Sequence, residues 1–428
     1  MRFSSLLALN FYRFLTFFLA PIGAAFLCYK KRRDPPYGKR VFELLGYYPY
    51  ELEDCIWFHA ASVGEINSLK PLILKFQHCY PDKRVLITTM TTTGNIAAQA
   101  IADAYTVFMP LDSPCAVRRF FKNFKPKFLF IVDTELWPNM LQAAKKNNCK
   151  VIIVNGRMQE KSCQNYLKFK GMVADIIAAP LYKVLCIATE DAERFERIGI
   201  AQDKIKVSGN IKYDLNLSFE PFEKGRTLKA DFKAPALCCA STHDGEENIC
   251  IETFKALKQE LPNLKLVLVP RHKTGVELFE KALNEQKIAY IRKSLISDPK
   301  AYHEHDVIIG DTMGEMSFYF GLCDLVFMGG SFVDIGGHNP LEPAFYSLPT
   351  ITGPIYRNFK EQFTRLIEKG GAFVTSDQKE FTQTALKLLK SPEDLQHAGE
   401  QALEVLKLGR GSTQKILDEI KRDLDAKP

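Results

Sequence analysis

The sequence predicts an α/β protein with two doubly wound, Rossmann-like domains and an apolar helix at its N-terminus. The chain has 428 residues, which is more than one hydrophobic core usually organises. Short runs rich in β-branched and aromatic residues alternate with helix-length segments in two separate series. Residues 1–33 are mostly large and apolar, and they end in a basic cluster. These three observations carry the prediction.

The N-terminal segment has the composition of a membrane element. Phe14–Tyr29 carries no charge, and Lys30, Lys31, Arg32 and Arg33 follow at once. The uncharged run is shorter than the ~20 residues that a spanning helix needs, although Phe3 to Phe11 extends its apolar character. A cleavable signal peptide carries its basic residues before the apolar run rather than after it. We therefore expect a permanent anchor, spanning or interfacial, with the rest of the chain in the cytoplasm.

Thirteen segments are predicted to be strands of parallel sheets, because helical stretches of crossover length separate them. Those of the first series are Cys55–Ala60, Arg84–Thr88, Thr106–Met109, Phe128–Val132, Val151–Val154 and Val184–Ala188. Those of the second series are Leu237–Ala240, Leu264–Val269, Ala289–Arg292, Val307–Ile309, Leu325–Met328, Thr350–Thr352 and Ala372–Val374.

The domain boundaries follow from these two series. We predict an anchor and basic flank over residues 1–33, a first domain over 34–216, a linker over 217–233 and a second domain over 234–428. The linker segment contains charge, proline and glycine without a sustained period. Residues after Ser391 are predicted to form helices that end the chain. Ligands of such domains bind beyond the carboxyl ends of the strands, so chemistry is expected in motifs that follow strands.

Composition and motif content exclude several classes of protein. A hydrophobic fraction of 46% and a charged fraction of 25% describe a folded globular chain. The net charge of +7 is too small to indicate a nucleic-acid binder, and Arg118–Phe128 has the spacing of an amphipathic helix. No P-loop and no G-x-G-x-x-G after a first strand occur. The 11 cysteines never form a C-x-x-C pair, so we predict buried thiols and no metal site.

Three motifs of the first half carry candidate catalytic side chains. H-A-A-S-V-G-E ends at Glu65, T-E-L-W-P-N contains Glu135 and Trp137, and G-N-I-K-Y-D contains Lys212. Glu65 falls in a first helical turn, where a carboxylate often only complements the helix dipole. The small residues before it would also bring it to a ligand on a rigid element, as a general base requires. Lys212 at a strand exit could stabilise a departing phosphate.

The second half is richer in such motifs. S-T-H-D-G-E-E, P-R-H and G-D-T-M-G-E each follow a predicted strand of the second series, at residues 241–247, 270–272 and 310–315. A loop with two glycine pairs, Gly329–Pro343, then ends at a predicted helix start with His338, Asn339 and Glu342. Glycine pairs let a ligand approach the backbone closely, and a helix N-terminus suits a phosphate. We expect a nucleotide-type pocket here, with Glu342 one turn into the helix and close to ribose hydroxyls.

Taken together, these motifs resemble those of the bacterial lipid A Kdo (3-deoxy-D-manno-octulosonic acid) transferases. All seven, including G-G-H-N-P-L-E-P at residues 336–343, occur in the family's order and approximate spacing, over nearly the whole chain. The resemblance implies a GT-B architecture, with an acceptor domain, a CMP-Kdo donor domain and C-terminal helices that pack back on the first domain. It also implies transfer of Kdo from CMP-Kdo to the tetraacyl lipid A precursor at the cytoplasmic face of the inner membrane.

The resemblance also implies roles for individual residues. Glu65 matches the family's general base, and Glu135 and Lys212 match its transition-state stabilisers. The CMP-contacting segments match Pro270, Arg271, Met313, Gly314, Glu315, Asn339, Pro340, Leu341 and Glu342. Attack opposite the departing CMP implies inversion, and neither a metal nor a cofactor is expected. After P-R-H the family commonly has Pro-Glu-Arg, whereas this chain has Lys273–Gly275, so no role is carried over there.

Two other functions remain alternatives at this stage. A GT-B enzyme for another nucleotide sugar, such as a UDP-sugar, would share the architecture. The two are distinguished by whether CMP or UDP protects the protein from thermal unfolding. A non-catalytic nucleotide-sugar binding protein would need the pocket but not Glu65, Glu135 and Lys212. The number of Kdo units transferred is left open.

Overall fold

The computed structural model describes residues 1–30 and 40–425 and contains two parallel sheets of seven strands each. Met1–Asp214 together with Gly409–Pro428 form one compact unit, and Leu215–Leu408 form the other. The predicted pair of doubly wound α/β domains is confirmed. Lys31, Arg32 and Arg33, and the predicted boundary at residue 34, lie outside the described residues.

The first unit contains the sheet β3-β2-β1-β4-β5-β6-β7. Its strands are β1 Ile56–His59, β2 Val85–Thr89, β3 Ala104–Phe108, β4 Phe128–Val132, β5 Lys150–Gly156, β6 Leu181–Cys186 and β7 Ile205–Val207. Its helices before the second unit are α1 Phe3–Lys30, α2 Val63–Cys79, α3 Thr92–Gln99, α4 Pro114–Phe124, α5 Pro138–Lys146, α6 Glu160–Leu167, α7 Lys170–Val173 and α8 Thr189–Arg197.

The second unit contains the sheet β10-β11-β9-β8-β12-β13-β14. Its strands are β8 Ala236–Thr242, β9 Lys265–Pro270, β10 Tyr290–Arg292, β11 Val307–Ile309, β12 Leu325–Met328, β13 Thr350–Thr352 and β14 Ala372–Val374. Its helices are α9 Phe219–Phe232, α10 Glu247–Glu260, α11 Lys273–Glu285, α12 Ala301–Glu304, α13 Met316–Gly321, α14 Leu341–Phe345, α15 Lys360–Lys369, α16 Gln378–Lys390 and α17 Pro392–Gly409.

In each sheet the strand order reverses beside the first strand of the unit, and a doubly wound fold binds ligands there. The reversal in the first sheet lies between β1 and β4, and in the second between β8 and β12. H-A-A-S-V-G-E follows β1 and T-E-L-W-P-N follows β4. In the second sheet, S-T-H-D-G-E-E lies at the end of β8 and the glycine-rich loop follows β12. The topology therefore brings pairs of motifs that are distant in the sequence to the same edge.

The N-terminal helix α1 is one continuous helix of 28 residues that includes Pro21. It is the one helix, among the described residues, that is long and apolar enough to cross a membrane by length and composition. It begins eleven residues before the predicted uncharged run, because Ser4, Asn10 and Arg13 are all tolerated on a helix that is only partly buried.

The segment predicted as the linker, residues 217–233, forms helix α9 within the second unit. Helix α9 packs against α13 through two glycines, since a Cβ at Gly225 would clash with the Phe318 carbonyl oxygen and one at Gly321 would clash with that of Phe222. Phe222 and Phe232 of this helix are buried. The segment was predicted as a linker because Pro221 and Gly225 are unusual within a helix and interrupt its apolar periodicity.

The last helix, α18 (Ser412–Asp425), belongs to the first unit. Ile416, Leu417, Ile420 and Leu424 are buried in the same hydrophobic cluster as Phe58 of β1. Helix α17 lies in the second unit up to Leu408. The final helix therefore completes the core on one face of the first sheet.

Candidate active site

Glu65 is held in the turn that joins β1 to α2. Ser62 caps the helix, and Glu65 is its third residue. The Ala61 N–H donates a 2.6 Å hydrogen bond to Glu65 Oε2, and Ser62 Oγ donates a 3.1 Å bond to Oε1. This is a capping arrangement, and it fixes the carboxylate beyond the carboxyl end of the central strand.

The pKa of Glu65 is raised above its ordinary value. Burial is the main cause, and the nearby carboxylates of Asp133 and Glu135 raise it further. The hydrogen bonds from Ala61 and Ser62 oppose the shift without cancelling it. A carboxylate in this environment binds a proton more tightly than an exposed glutamate does, which is the property of a general base.

Glu135 follows β4, the neighbour of β1. Trp137 Nε1 donates a 2.9 Å hydrogen bond to Glu135 Oε2, so the tryptophan orients the carboxylate. The Thr134 hydroxyl donates to the Arg157 carbonyl oxygen and ties the loop to the end of β5. Parallel pairing of β1 with β4 places Glu65 and Glu135 in neighbouring loops, and the charge of Glu135 acts to raise the pKa of Glu65.

Asp133 and Asn155 complete this edge of the sheet. Both have left-handed backbone conformations, with φ of 58° and 56°. Asn155 Nδ2 donates a 2.9 Å hydrogen bond to Asp133 Oδ1, and Asn155 Oδ1 accepts a 3.1 Å bond from the Ile211 N–H. The Asn155 side chain thus connects the β4 loop to the turn that carries Lys212.

Lys212 lies in the short turn Ile211–Tyr213, which Asn210 caps by accepting a 3.0 Å hydrogen bond from the Lys212 N–H. Tyr213 is fully buried and so close to Gly409 that a Cβ there would clash with the tyrosine ring. Asp214 accepts bonds of 2.6 and 2.5 Å from the N–H groups of Gly411 and Thr413. The final helix thereby holds the Lys212 turn in place.

In the second unit, Pro270 ends β9 and Arg271 follows it as an exposed side chain. The positive charge of Arg271 acts to lower the pKa values of Glu342, His243 and His338. Arg271 is therefore near enough to residues 338–342 to act on them electrostatically.

Asn339 and Pro340 lead into α14, and Leu341 and Glu342 are its first two residues. Asn339 Oδ1 accepts a 3.1 Å hydrogen bond from the Leu341 N–H, and Nδ2 donates a 3.4 Å bond to Glu342 Oε1. Helix α14 has only five residues, and Glu342 is its second residue rather than one turn further along. The predicted helix at this place is a single turn, and the chain leaves it at Ser347, whose backbone is left-handed with a φ of 57°. Burial raises the pKa of Glu342.

Met313, Gly314 and Glu315 form the loop between β11 and α13. Met313 is 72% exposed, and Gly314 has a φ of 80° with open space around it. Lys293 Nζ lies 2.9 and 2.8 Å from the two oxygens of Glu315. Burial alone would raise the pKa of Glu315, but hydrogen bonds from Lys293 and Thr312 hold it below its usual value. The loop is therefore held to Lys293, just after β10.

Among residues 1–30 and 40–425, no three His, Cys, Asp or Glu side chains are grouped so as to hold a metal ion.

A family model described as 3-deoxy-D-manno-octulosonic-acid transferase (kdotransferase) matches residues 39–215. The 3-deoxy-D-manno-octulosonic acid transferase of Haemophilus influenzae is 34% identical to the chain over an alignment that covers 97% of this chain and 98% of that protein. The chain belongs to the Kdo transferase family. The Bordetella pertussis transferase is 30% identical over 381 residues, 86% of this chain and 87% of that one. The assignment made from the seven motifs, and with it a glycosyltransferase activity, is confirmed.

Solved structures with a similar fold support the description of the two domains. A glycosyltransferase of Rickettsia africae superposes with a TM-score of 0.54 at 14% identity and covers 88% of this chain and 100% of that one. MnaA of S. aureus, solved with UDP, superposes with a TM-score of 0.55 at 16% identity and covers 88% of this chain and 99% of that one. The expected GT-B-like pair of domains is thus also seen in these neighbours.

Sequence reasoning missed one organising residue of the transferase, Glu246. Its side chain is fully buried and accepts four backbone hydrogen bonds. The donors are the N–H groups of His243 (3.0 Å), Gly330 (2.7 Å), Ser331 (3.0 Å) and Phe332 (3.0 Å). The carboxylate therefore shapes the first glycine pair of the loop. The motif S-T-H-D-G-E-E contains this residue, but its two adjacent glutamates do not reveal from the sequence which one is buried.

The transferase also pairs two histidines beside that loop. His243 Nε2 and His338 Nε2 are 2.8 Å apart, so one ring donates and the other accepts. Burial lowers the pKa of both rings, that of His338 to about 4. Burial thus favours the neutral form of both rings, in which they offer hydrogen bonds rather than charge. Asp133 and Asn155, next to the first-unit motifs, were missed because short polar residues at strand ends are common in turns.

Proposed function

We propose that the protein transfers Kdo from CMP-Kdo to a hydroxyl of the tetraacyl lipid A precursor, with inversion and with Glu65 as general base. The reaction takes place at the cytoplasmic face of the inner membrane, where α1 serves as the single anchor. One observation carries the proposal: a partly buried glutamate with a raised pKa lies at the switch point of the first sheet, beside Asp133 and Glu135. Family membership supplies the class of sugar.

In this reaction Glu65 takes the proton of the acceptor hydroxyl while that oxygen attacks the anomeric carbon of Kdo. The bond from that carbon to the phosphate oxygen breaks, and CMP leaves with the electron pair. Positive charge develops on the sugar ring and negative charge on the departing phosphate. Glu135 stabilises the positive charge on the sugar ring, and Lys212 stabilises the negative charge on the phosphate.

The second unit binds the donor in this proposal. Arg271 offers the positive charge for the phosphate, and Pro270 lies beside it at the end of β9. Asn339 through Glu342 provide an amide, backbone N–H groups and a carboxylate for the nucleotide, and Met313, Gly314 and Glu315 complete the site. The four glycines of the neighbouring loop, with its Glu246 anchor, support close approach of a ligand to the backbone. No metal takes part, since CMP leaves through a single phosphate.

The test is mass spectrometry of the lipid after incubation of the purified protein with CMP-Kdo and the tetraacyl precursor. Wild type should add one or more Kdo masses, and Glu65→Gln should add none. Glu190→Gln is the matched control, because Glu190 is an exposed carboxylate in the first turn of α8 in the same unit. Absence of transfer by wild type, with CMP still protecting it from thermal unfolding, would contradict the acceptor or the reaction and favour a binding protein.

A further inference from the structure

Helix α1 has two opposite faces of different character. The docked face repeats every three or four positions and is mostly small or polar; its members are Ser5, Leu9, Tyr12, Thr16, Ala20 and Ala24, all buried or half-buried. The opposite face repeats with the same period and is large and apolar. Its members are between 54% and 76% exposed: Phe3, Leu7, Phe11, Phe14, Phe18, Ile22 and Phe26. The helix is thus docked along one side and uncovered along the other.

The docked face contacts the first unit along most of the helix. Side-chain hydrogen bonds join them at Ser5 (Oγ to Asp175 Oδ2, 2.7 Å), Tyr12 (hydroxyl to Asp112 Oδ2, 2.9 Å) and Thr16 (Oγ1 from Asn139 Nδ2, 3.2 Å). The Arg2 N–H, just before the helix, also donates to Asp175 Oδ2 (2.9 Å). Near the C-terminal end, Leu27 packs with Leu44 and Phe108. The contact therefore extends from the first turn of the helix to the last.

The length of this contact decides how the helix can meet a bilayer. From Ser5 to Leu27 the helix rises by about 33 Å, at ~1.5 Å per residue. The hydrocarbon core of a bilayer is ~30 Å thick. A spanning helix would have to give up all of these contacts or draw Asp112 and Asp175 into hydrocarbon, which is very unfavourable. Docking and spanning therefore exclude each other.

The charges on and after the helix match an anionic lipid surface. No acidic residue occurs before Asp34, whereas Arg2, Arg13 and Lys30 are basic and the sequence continues with Lys31–Arg33. Lys30 follows the exposed apolar face and Arg13 is half-buried beside it, whereas Arg2 is exposed before the first turn and contacts Asp175 and Gly171 of the first unit. An in-plane helix with this distribution is held by apolar burial and by attraction to anionic headgroups.

We propose that α1 lies in the plane of an anionic membrane leaflet, docked on the first unit with its aromatic face in the acyl-chain boundary, and does not cross the bilayer. The inference rests on the proposed membrane location but not on the identity of donor or acceptor. Arg2 and the N-terminus then stay on the same side of the membrane as the two units.

The sidedness of position 4 tests this directly, because Ser4 is exposed at the start of α1. The variant Ser4→Cys is expressed in a Gram-negative host, and intact spheroplasts are treated with a membrane-impermeant maleimide. Mass spectrometry of the peptides then identifies each labelled thiol. The native Cys79, exposed on the first unit, reports the side of that unit in the same chain, and wild type gives the background.

In-plane docking predicts that the thiol introduced by Ser4→Cys and the thiol of Cys79 both react only after permeabilisation. Reaction of the introduced thiol in intact spheroplasts, with Cys79 still protected, would show a spanning helix and overturn the proposal.

The depth of the helix gives a second readout that does not depend on expression in cells. Phe3→Trp, Phe14→Trp and Phe26→Trp are bound to phosphatidylglycerol vesicles with acyl chains brominated at different depths. An in-plane helix predicts the same shallow quenching depth at all three positions after subtraction of the wild-type signal. A quenching depth that is greatest at position 14 would indicate a spanning helix and overturn the proposal. Absence of quenching together with a stable dimer in solution would also overturn it. Both experiments leave catalysis aside, so a failure of the proposed reaction is recognised separately.

Discussion

Asn155 joins Asp133 to the Lys212 turn, with hydrogen bonds of 2.9 Å to Asp133 Oδ1 and 3.1 Å from the Ile211 N–H. The amide is almost completely buried, at 1% exposure. It therefore sets the distance between the β4 loop, which contains Glu135, and the turn that contains Lys212. Both proposed transition-state stabilisers depend on the position of this one buried side chain.

Removal of the Asn155 amide should slow transfer without affecting the donor site. Asn155→Gly keeps the left-handed backbone but leaves Asp133 and the Ile211 N–H without their partner. A misplacement of catalytic groups by about 1 Å can cost about 100-fold in rate, so kcat should fall by about one order of magnitude or more. CMP affinity, measured by calorimetry, should stay unchanged because the proposed CMP segments lie in the other unit. Unchanged kcat would show that the amide does not position the site.

Neutralisation of Glu246 should loosen the glycine-rich loop. Glu246→Gln keeps the shape but replaces one acceptor oxygen by a donor amide, which opposes backbone N–H groups. Hydrogen bonds to a charged group contribute about 1.5–3 kcal/mol, so CMP should bind at least tenfold more weakly. Amide exchange over Gly329–Phe332 should become faster. Glu247→Gln is the control, because Glu247 accepts a bond from the Gly245 N–H, which a glutamine oxygen can still accept.

The first unit should lose stability on mild acidification because of His59. Burial lowers the pKa of His59 from 6.5 to about 4, whereas the unfolded chain binds the proton near 6.5. Stability should therefore fall as the pH falls from about 6.5 to about 4, by roughly 3 kcal/mol in total. Both tryptophans, Trp57 and Trp137, lie in the first unit, so their fluorescence in urea follows its unfolding.

The first unit has only two histidines, which provides the control for this pH dependence. His59→Gln should flatten the fall in stability between pH 6.5 and 4, whatever its effect at pH 7. His78→Gln, at an exposed position in the last turn of α2, should leave the fall as it is in wild type. The same fall in both variants would mean that other groups cause it.

Glu65 should oppose folding at neutral pH while it supports catalysis. Its raised pKa means that the folded chain binds the proton more tightly than the unfolded chain does. Stability from this group is present at low pH and is lost as the pH rises through the raised pKa. Glu65→Gln should therefore be at least as stable as wild type at pH 7.5 by urea unfolding, although it transfers no sugar. A clearly less stable variant would show that the carboxylate acts mainly as a helix cap.

The sequence was sufficient to predict the sheets, because their central strands are continuous apolar runs. Phe128–Val132 is predicted and observed with the same bounds and is buried throughout. Strand β7, Ile205–Val207, was not predicted, since an edge strand of three residues with Lys206 in the middle shows no apolar run. Helix α9 was predicted as a linker because its stability comes from packing on α13, which no local pattern reports.

The motif residues were found in the sequence, but their partners were not. Glu65 and Glu135 were recognised from the motifs that follow β1 and β4, and parallel pairing of these strands explains why they meet. Asn155 accepts a hydrogen bond from Ile211, which is 56 positions away in the sequence. Glu246 accepts one from Gly330, which is 84 positions away. Such contacts depend on strand order, which the sequence did not specify.

The most direct test of the account is the pH dependence of kcat/KM for Kdo transfer by wild type, Glu65→Gln and Glu190→Gln. A general base contributes roughly 10²–10⁴-fold, so Glu65→Gln should lose at least 100-fold at pH 7.5 while Glu190→Gln matches wild type. The wild-type profile should fall on its acidic side at a pH above the ordinary glutamate value, as the raised pKa of Glu65 requires. Transfer by Glu65→Gln within a few fold of wild type would contradict the assignment of Glu65 as the base.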